Sequence, residues 1–133
     1  MCRNPRVVKE ARILNEAGYR VSILTVWSDE QLLAEDMELL NTAKINYIPA
    51  VNIIKGQGSF WNRFKTRLIR KMAGQLVSFM GIETIQSVGY GYNPTLKKAL
   101  QQDADFYICH QELPTIIGCK LIQKGHKVAF DFE

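Results

Sequence analysis

Short apolar runs of strand type alternate with segments of helical periodicity along almost the whole chain, and this alternation restricts the fold more than any other feature. Val7, Ala11 and Leu14 fall at i, i+4 and i+7, with Lys9, Arg12 and Glu16 off that face, so residues 6–17 read as an amphipathic helix. Asn4 suits its N-cap, Pro5 its first position, where the missing N–H would be unpaired anyway, and Gly18 its C-terminal stop. Val21, Ile23, Leu24, Thr25 and Val26 then read as a buried strand. Asp29 caps a second helix through Leu40, with Leu33, Met37 and Leu40 on its apolar face, and residues 44–48 read as a strand ended by Pro49. After the loop Lys55-Gly56-Gln57-Gly58 comes a long helix, residues 60–80. A looser stretch with Gly89 and Gly91 leads to Asn93-Pro94, which repeats the Asn-Pro start of the first helix, and that helix ends near Gln102. Residues 106–109 read as a short strand, residues 114–124 as a helix stopped by Gly125, and residues 128–132 as a last strand. Strands separated by helices pair in parallel, because each connection must cross the sheet, and such a sheet is covered on both faces. The expected class is α/β.

A chain of 133 residues with 47% hydrophobic residues builds one core without disulfide or metal staples. A doubly wound domain opens with a strand and a phosphate-binding turn into its first helix. Here the first residues are already the cap of that helix, and the last lie on a strand, so the chain reads as a single, incomplete Rossmann-like domain, residues 1–133, lacking the usual first strand.

Composition narrows the function classes. Lys and Arg number 17 and Asp and Glu 13, a net charge of +4. That suits phosphate-bearing ligands or an anionic membrane and falls short of the basic stripe of a nucleic-acid binder, so nucleic acid is not expected as a partner. Cys2, Cys109 and Cys119 lack CxxC spacing and have only His110 and His126 beside them, so no metal site is expected. A reducing, cytoplasmic compartment is expected, with peripheral attachment to the inner membrane face as an option. The opening Cys2-Arg3-Asn4-Pro5-Arg6 lacks the charged start and apolar run of a signal peptide.

Three places can carry chemistry. In an open α/β sheet, ligands bind beyond the carboxyl ends of the strands. There stands Cys109-His110-Gln111-Glu112-Leu113-Pro114, with an imidazole, an amide and a carboxylate in succession. His110 acts as acid, base or hydrogen-bond donor, or simply packs; Glu112 contacts a ligand, or only favours the helix start by its charge. The N-terminus of the first helix, with Arg3 and Arg6 beside it, binds an anion, or Asn4 takes up its donors. The long helix carries Arg63, Lys65, Arg67, Arg70 and Lys71 among Phe60, Trp61, Phe64, Leu68, Met72, Leu76 and Phe79, and no acidic residue occurs between Lys44 and Glu83. It either lies on an anionic membrane or partner through Trp61, Arg63, Arg67, Arg70 and Lys71, or turns its apolar face to the core with its basic side outward. Gly56-Gln57-Gly58 has neither P-loop nor dinucleotide-binding spacing.

Two phrases carry a resemblance. Asn4-Pro5-Arg6-Val7-Val8-Lys9-Glu10-Ala11, then Leu14, then Gly18-Tyr19-Arg20-Val21-Ser22-Ile23-Leu24, resembles the opening of the N-terminal domain of retaining, family 4-like glycosyltransferases. Ala104-Asp105-Phe106-Tyr107-Ile108-Cys109-His110, Leu113-Pro114 and Lys124-Gly125-His126-Lys127-Val128-Ala129-Phe130-Asp131 resemble a second phrase of that family, in the same order. Asn4 stands where the family usually has Asp, Gln111 where Asp or Glu is common, and Asp131-Phe132-Glu133 where a His-Glu pair is often found.

The resemblance implies a GT-B architecture, in which two Rossmann-like domains face each other. This chain would be the acceptor-binding half, and the C-terminal domain that binds most of the nucleotide-sugar donor would be absent. It implies His110 as the cleft-lining histidine near the transferred sugar and puts Asn4 and Arg6 in the loop entering the first helix; Asn4, Arg6, Gln111 and Glu112 are the candidate acceptor or anion contacts. It implies a glycan or lipid-linked acceptor in cell-envelope or other glycan synthesis, a nucleotide sugar as substrate, and no cofactor or metal. The chain alone is then expected to be inactive. A second reading is a non-catalytic α/β module that docks on a membrane or protein through its basic helix.

Overall fold

The computed structural model describes residues 4–41, 44–57 and 60–131; Cys2, Arg3, Gly58, Phe132 and Glu133, which enter the sequence argument, lie outside the described residues. The chain divides into two compact units, residues 1–58 and 59–133.

In the first unit, α1 (Pro5–Glu16) starts where expected, because the Asn4 Oδ1 accepts from the backbone N–H groups of Arg6 and Val7 at 3.2 and 3.3 Å. Then follow β1 (Ser22–Trp27), α2 (Glu30–Asn41) and β2 (Asn46–Asn52). Asp29 caps α2 by accepting from the Leu32 N–H at 3.0 Å. The strands run parallel, from Ser22 opposite Asn46 to Trp27 opposite Asn52, with a register shift between Thr25 and Val26. Pro49 does not end β2: it sits inside the strand, opposite Thr25 and next to the register shift. Both strands of a two-stranded sheet are edges, and edges and bulges are where a residue without an N–H is tolerated. Val8, Ala11, Leu40, Ala50, Ile53 and Ile54 form the core, and the Arg12 guanidinium ties α1 to α2 by donating to the Leu39 carbonyl at 2.7 Å. Asp36 is buried and accepts from the Tyr47 hydroxyl, which offsets the cost of removing a carboxylate from water.

In the second unit the order is α3 (Phe60–Met80), α4 (Ile85–Val88), α5 (Tyr92–Leu100), β3 (Tyr107–His110), α6 (Glu112–Ile122) and β4 (Val128–Asp131). The stretch expected to be loose holds the single turn α4. Asn93 is not the cap of α5; Gly91 is, at φ 74° and ψ 39°, a left-handed conformation that suits glycine. Pro94 falls in the first turn, where its missing N–H has no helical partner to lose. β3 and β4 run parallel from Tyr107 opposite Val128 to His110 opposite Asp131. α6 packs on both strands through Ile117, Gly118 and Leu121, with Cys109 buried below. Gly118 permits the approach, since a Cβ there would stand 2.6 Å from the Phe130 ring and 2.9 Å from the Cys109 Sγ.

The protein is therefore mixed α/β with short parallel strands, as the alternation predicts. The sheet expected as one ladder is instead present as two pairs: among the described residues β1 bonds to β2 and β3 to β4. Within each pair the second strand follows the first across one crossover helix, α2 in the first unit and α6 in the second.

Candidate functional site

Parallel pairing puts the ends of β3 and β4 side by side, so His110 and Asp131, 21 residues apart in sequence, become cross-strand neighbours at the carboxyl edge. The Asp131 Oδ2 lies 3.1 Å from the His110 Nδ1, and the side chains are 14% and 29% exposed, His110 being the more enclosed. A carboxylate beside Nδ1 favours a proton on that nitrogen in the neutral ring, which makes Nε2 the nitrogen with the lone pair.

The residue between β3 and α6 is the other unusual feature. Gln111 has φ 71° and ψ 174°, a region otherwise nearly reserved for glycine. Its carbonyl oxygen is held by two bonds from Thr115, the backbone N–H at 3.1 Å and the hydroxyl at 2.7 Å. The turn leaves Gln111 and Glu112 exposed just beyond the half-buried imidazole. Glu112 also occupies the first turn of α6, where its charge is favoured. His110, Gln111 and Glu112 are consecutive in the chain and Asp131 stands beside His110, so hydrogen-bonding groups from four residues lie at this edge of the strand pair. Asp131 was not among the residues that sequence reasoning picked as a site. The available signal was positional: 110 and 131 each end a strand of one parallel pair.

Asn4 and Arg6 belong to the other unit. The Asn4 side chain is occupied in capping α1, as one of the two sequence readings has it, and Arg6 is exposed.

Two orientations were open to α3, and the structure distinguishes them. Among its described residues Ala73 is the buried one, and Arg63, Thr66, Arg70 and Val77 on the same side are half-buried. The face with Phe60, Trp61, Phe64, Leu68, Met72, Leu76 and Phe79 is exposed, so the core-facing alternative does not describe it. Lys65, Arg67 and Lys71 are exposed as well. Arg70 turns inward: its guanidinium donates to the Ser87 carbonyl at 3.2 Å and lies 4.7 Å from the Tyr90 ring centroid, tying α3 to the segment around α4. Removing a cation–π partner of this kind costs about 0.5–1 kcal/mol at an exposed site and more where desolvated.

Among the described residues no three His, Cys, Asp or Glu side chains are grouped so as to hold a metal ion. No family model matches the chain, and neither a curated protein nor a solved structure does.

Proposed function

We propose that this chain is the acceptor-side portion of a sugar-nucleotide-dependent glycosyltransferase, Rossmann-like in plan, with His110 lining the cleft at the transferred sugar. The observation that carries the reading is the His110–Asp131 pair at the carboxyl edge of two parallel strands, where open α/β sheets bind ligands. The strand pairing supports it as well. In a sheet ordered 3-2-1-4-5, strands 2 and 3 pair, strands 4 and 5 pair, and both pairs are parallel.

In this reading Asp131 fixes the imidazole ring and its tautomer, and Nε2 meets a hydroxyl of the sugar or acceptor. Gln111 and Glu112 supply further polar contacts at the rim. Transfer needs no covalent protein intermediate; orientation of the acceptor and stabilisation of an oxocarbenium-like state suffice. The nucleotide sugar is a substrate that binds mainly to a second domain, so the chain alone does not turn over.

Amide and imidazole NMR shifts on titration with short oligosaccharides test the site. Shifts are expected to gather at His110, Gln111 and Asp131 and to vanish in a folded His110→Ala variant. In a polypeptide that also carries a donor-binding domain, His110→Ala is expected to lower turnover about a hundredfold or more with the fold intact. Transfer by the 133-residue chain alone, dependent on His110, would contradict the division of labour, and loss of folded protein in His110→Ala would mark the histidine as a packing residue.

A further inference from the structure

α3 is 21 residues long, and its outward side has a definite layout about Leu68. Phe64 and Met72 lie four residues to either side, Trp61 seven before, and Phe60 and Leu76 eight to either side, so all share the Leu68 face. Phe79 continues the stripe at the far end. Lys65 and Lys71 lie three residues before and after Leu68 and therefore flank the stripe on its two sides. The stripe is open: Trp61 is 73% and Phe79 84% exposed. At its N-terminal end Phe60, Trp61 and Phe64 contact one another, with ring centroids 6.1 to 6.4 Å apart, as one projecting aromatic cluster.

We infer that this face of α3 is a docking surface for an anionic lipid bilayer, with the helix lying in the plane of the interface. Charge selects the partner. Every ionisable residue from 45 to 82 that carries charge at neutral pH is a Lys or Arg, so a second copy laid on the same face would bring cations against cations. Anionic headgroups meet Lys65 and Lys71 while the stripe between them enters the acyl boundary. A cluster of Trp and Phe at one end is the side-chain chemistry that settles at headgroup level. The face is the convex side of a single helix, which an acyl surface accommodates without a complementary groove. Among the described residues no helix is long and apolar enough to cross a membrane, so α3 lies on the bilayer and does not span it. The inference rests on α3 alone and stands whether or not the transferase reading does.

Co-sedimentation of the full chain with vesicles decides the matter, helical content being followed by circular dichroism. Binding is expected to vesicles of phosphatidylcholine with about 30% phosphatidylglycerol, to fall about tenfold on raising salt several-fold, and to be undetectable with phosphatidylcholine alone. Lys65→Glu with Lys71→Glu is expected to weaken it about thirtyfold or more, and Trp61→Ser with Phe64→Ser about tenfold. If the charge-reversed chain loses helix, Lys65→Gln with Lys71→Gln takes its place, with an expected loss of about tenfold. Binding that ignores these lysines, equal binding to both vesicle types, or no binding to either would overturn the inference. Binding of polyglutamate without any vesicle binding would overturn it too, in favour of an acidic protein partner.

Discussion

Gln111 carries the chain from β3 into α6 in a backbone conformation that costs a residue with a side chain about 1–3 kcal/mol. Glycine occupies the region without that strain but loses about 0.5–1 kcal/mol more on folding. Gln111→Gly is therefore expected to stabilise the protein by about 1 kcal/mol, read as a rise of several degrees in the thermal midpoint, while weakening oligosaccharide shifts at His110. A lower midpoint would mean that the glutamine side chain offsets its own strain. Cys109, next to the site, gives a second expectation. Burial pushes its thiol up to about 11 from the ordinary 9.0, the nearby Cys119 adds to this, and a backbone hydrogen bond from Gly118 opposes it. The folded state keeps this proton to about pH 11 and the unfolded state releases it near 9.0, so the contribution to stability is full below pH 9 and lost as pH rises toward 11. In a Cys2→Ser background, exposed Cys119 should react promptly with a disulfide reagent and buried Cys109 only at the rate of opening. Prompt reaction of both would contradict the burial. His110 was legible as a candidate because it closes an apolar run. Asp131 was not, since its role arises only when β3 and β4 pair in register.

The elements were legible wherever a cap or a long period announced them. Asn4 and Asp29 cap the helices predicted for them, and α3 spans the residues that its periodicity marks. Asn93-Pro94 misled because the same dipeptide fits the first turn equally well once a left-handed glycine takes the cap. The direction of α3 was not legible: a hydrophobic stripe shows that a face is apolar and does not say what covers it. Packing also gives two glycines of the second unit opposite roles. Gly118 lies under the Phe130 ring and the Cys109 Sγ, whereas a Cβ on Gly74 would meet nothing within 4 Å. Gly118→Ala is expected to destabilise by about 1–3 kcal/mol through overpacking. Gly74→Ala is expected to stabilise by up to about 1 kcal/mol through helix propensity. Denaturant midpoints at unchanged slope read both, and stabilisation by Gly118→Ala would mean that α6 sits farther from its strands than described.

At the scale of the molecule, the alternation of helices and strands predicted the parallel pairing but not its division into two pairs, because local periodicity carries no information about which strands share an edge. The division into two units also places the two tryptophans of the chain differently, Trp27 in the first and Trp61 in the second. Trp27 is half-buried and stacked on Tyr47 with ring centroids 5.8 Å apart, whereas Trp61 projects from α3 with Lys65 one turn further along. The chain thereby carries one tryptophan per unit, excited selectively at the red edge of the absorption band, in different electrical surroundings. Iodide, drawn toward the cations of α3, should quench Trp61 more strongly than caesium does, and the contrast should fade at high salt. A Trp61→Phe chain, emitting from Trp27 alone, should show little quenching by either ion. Equal quenching of Trp61 by the two ions would mean that the basic residues around it set no local potential.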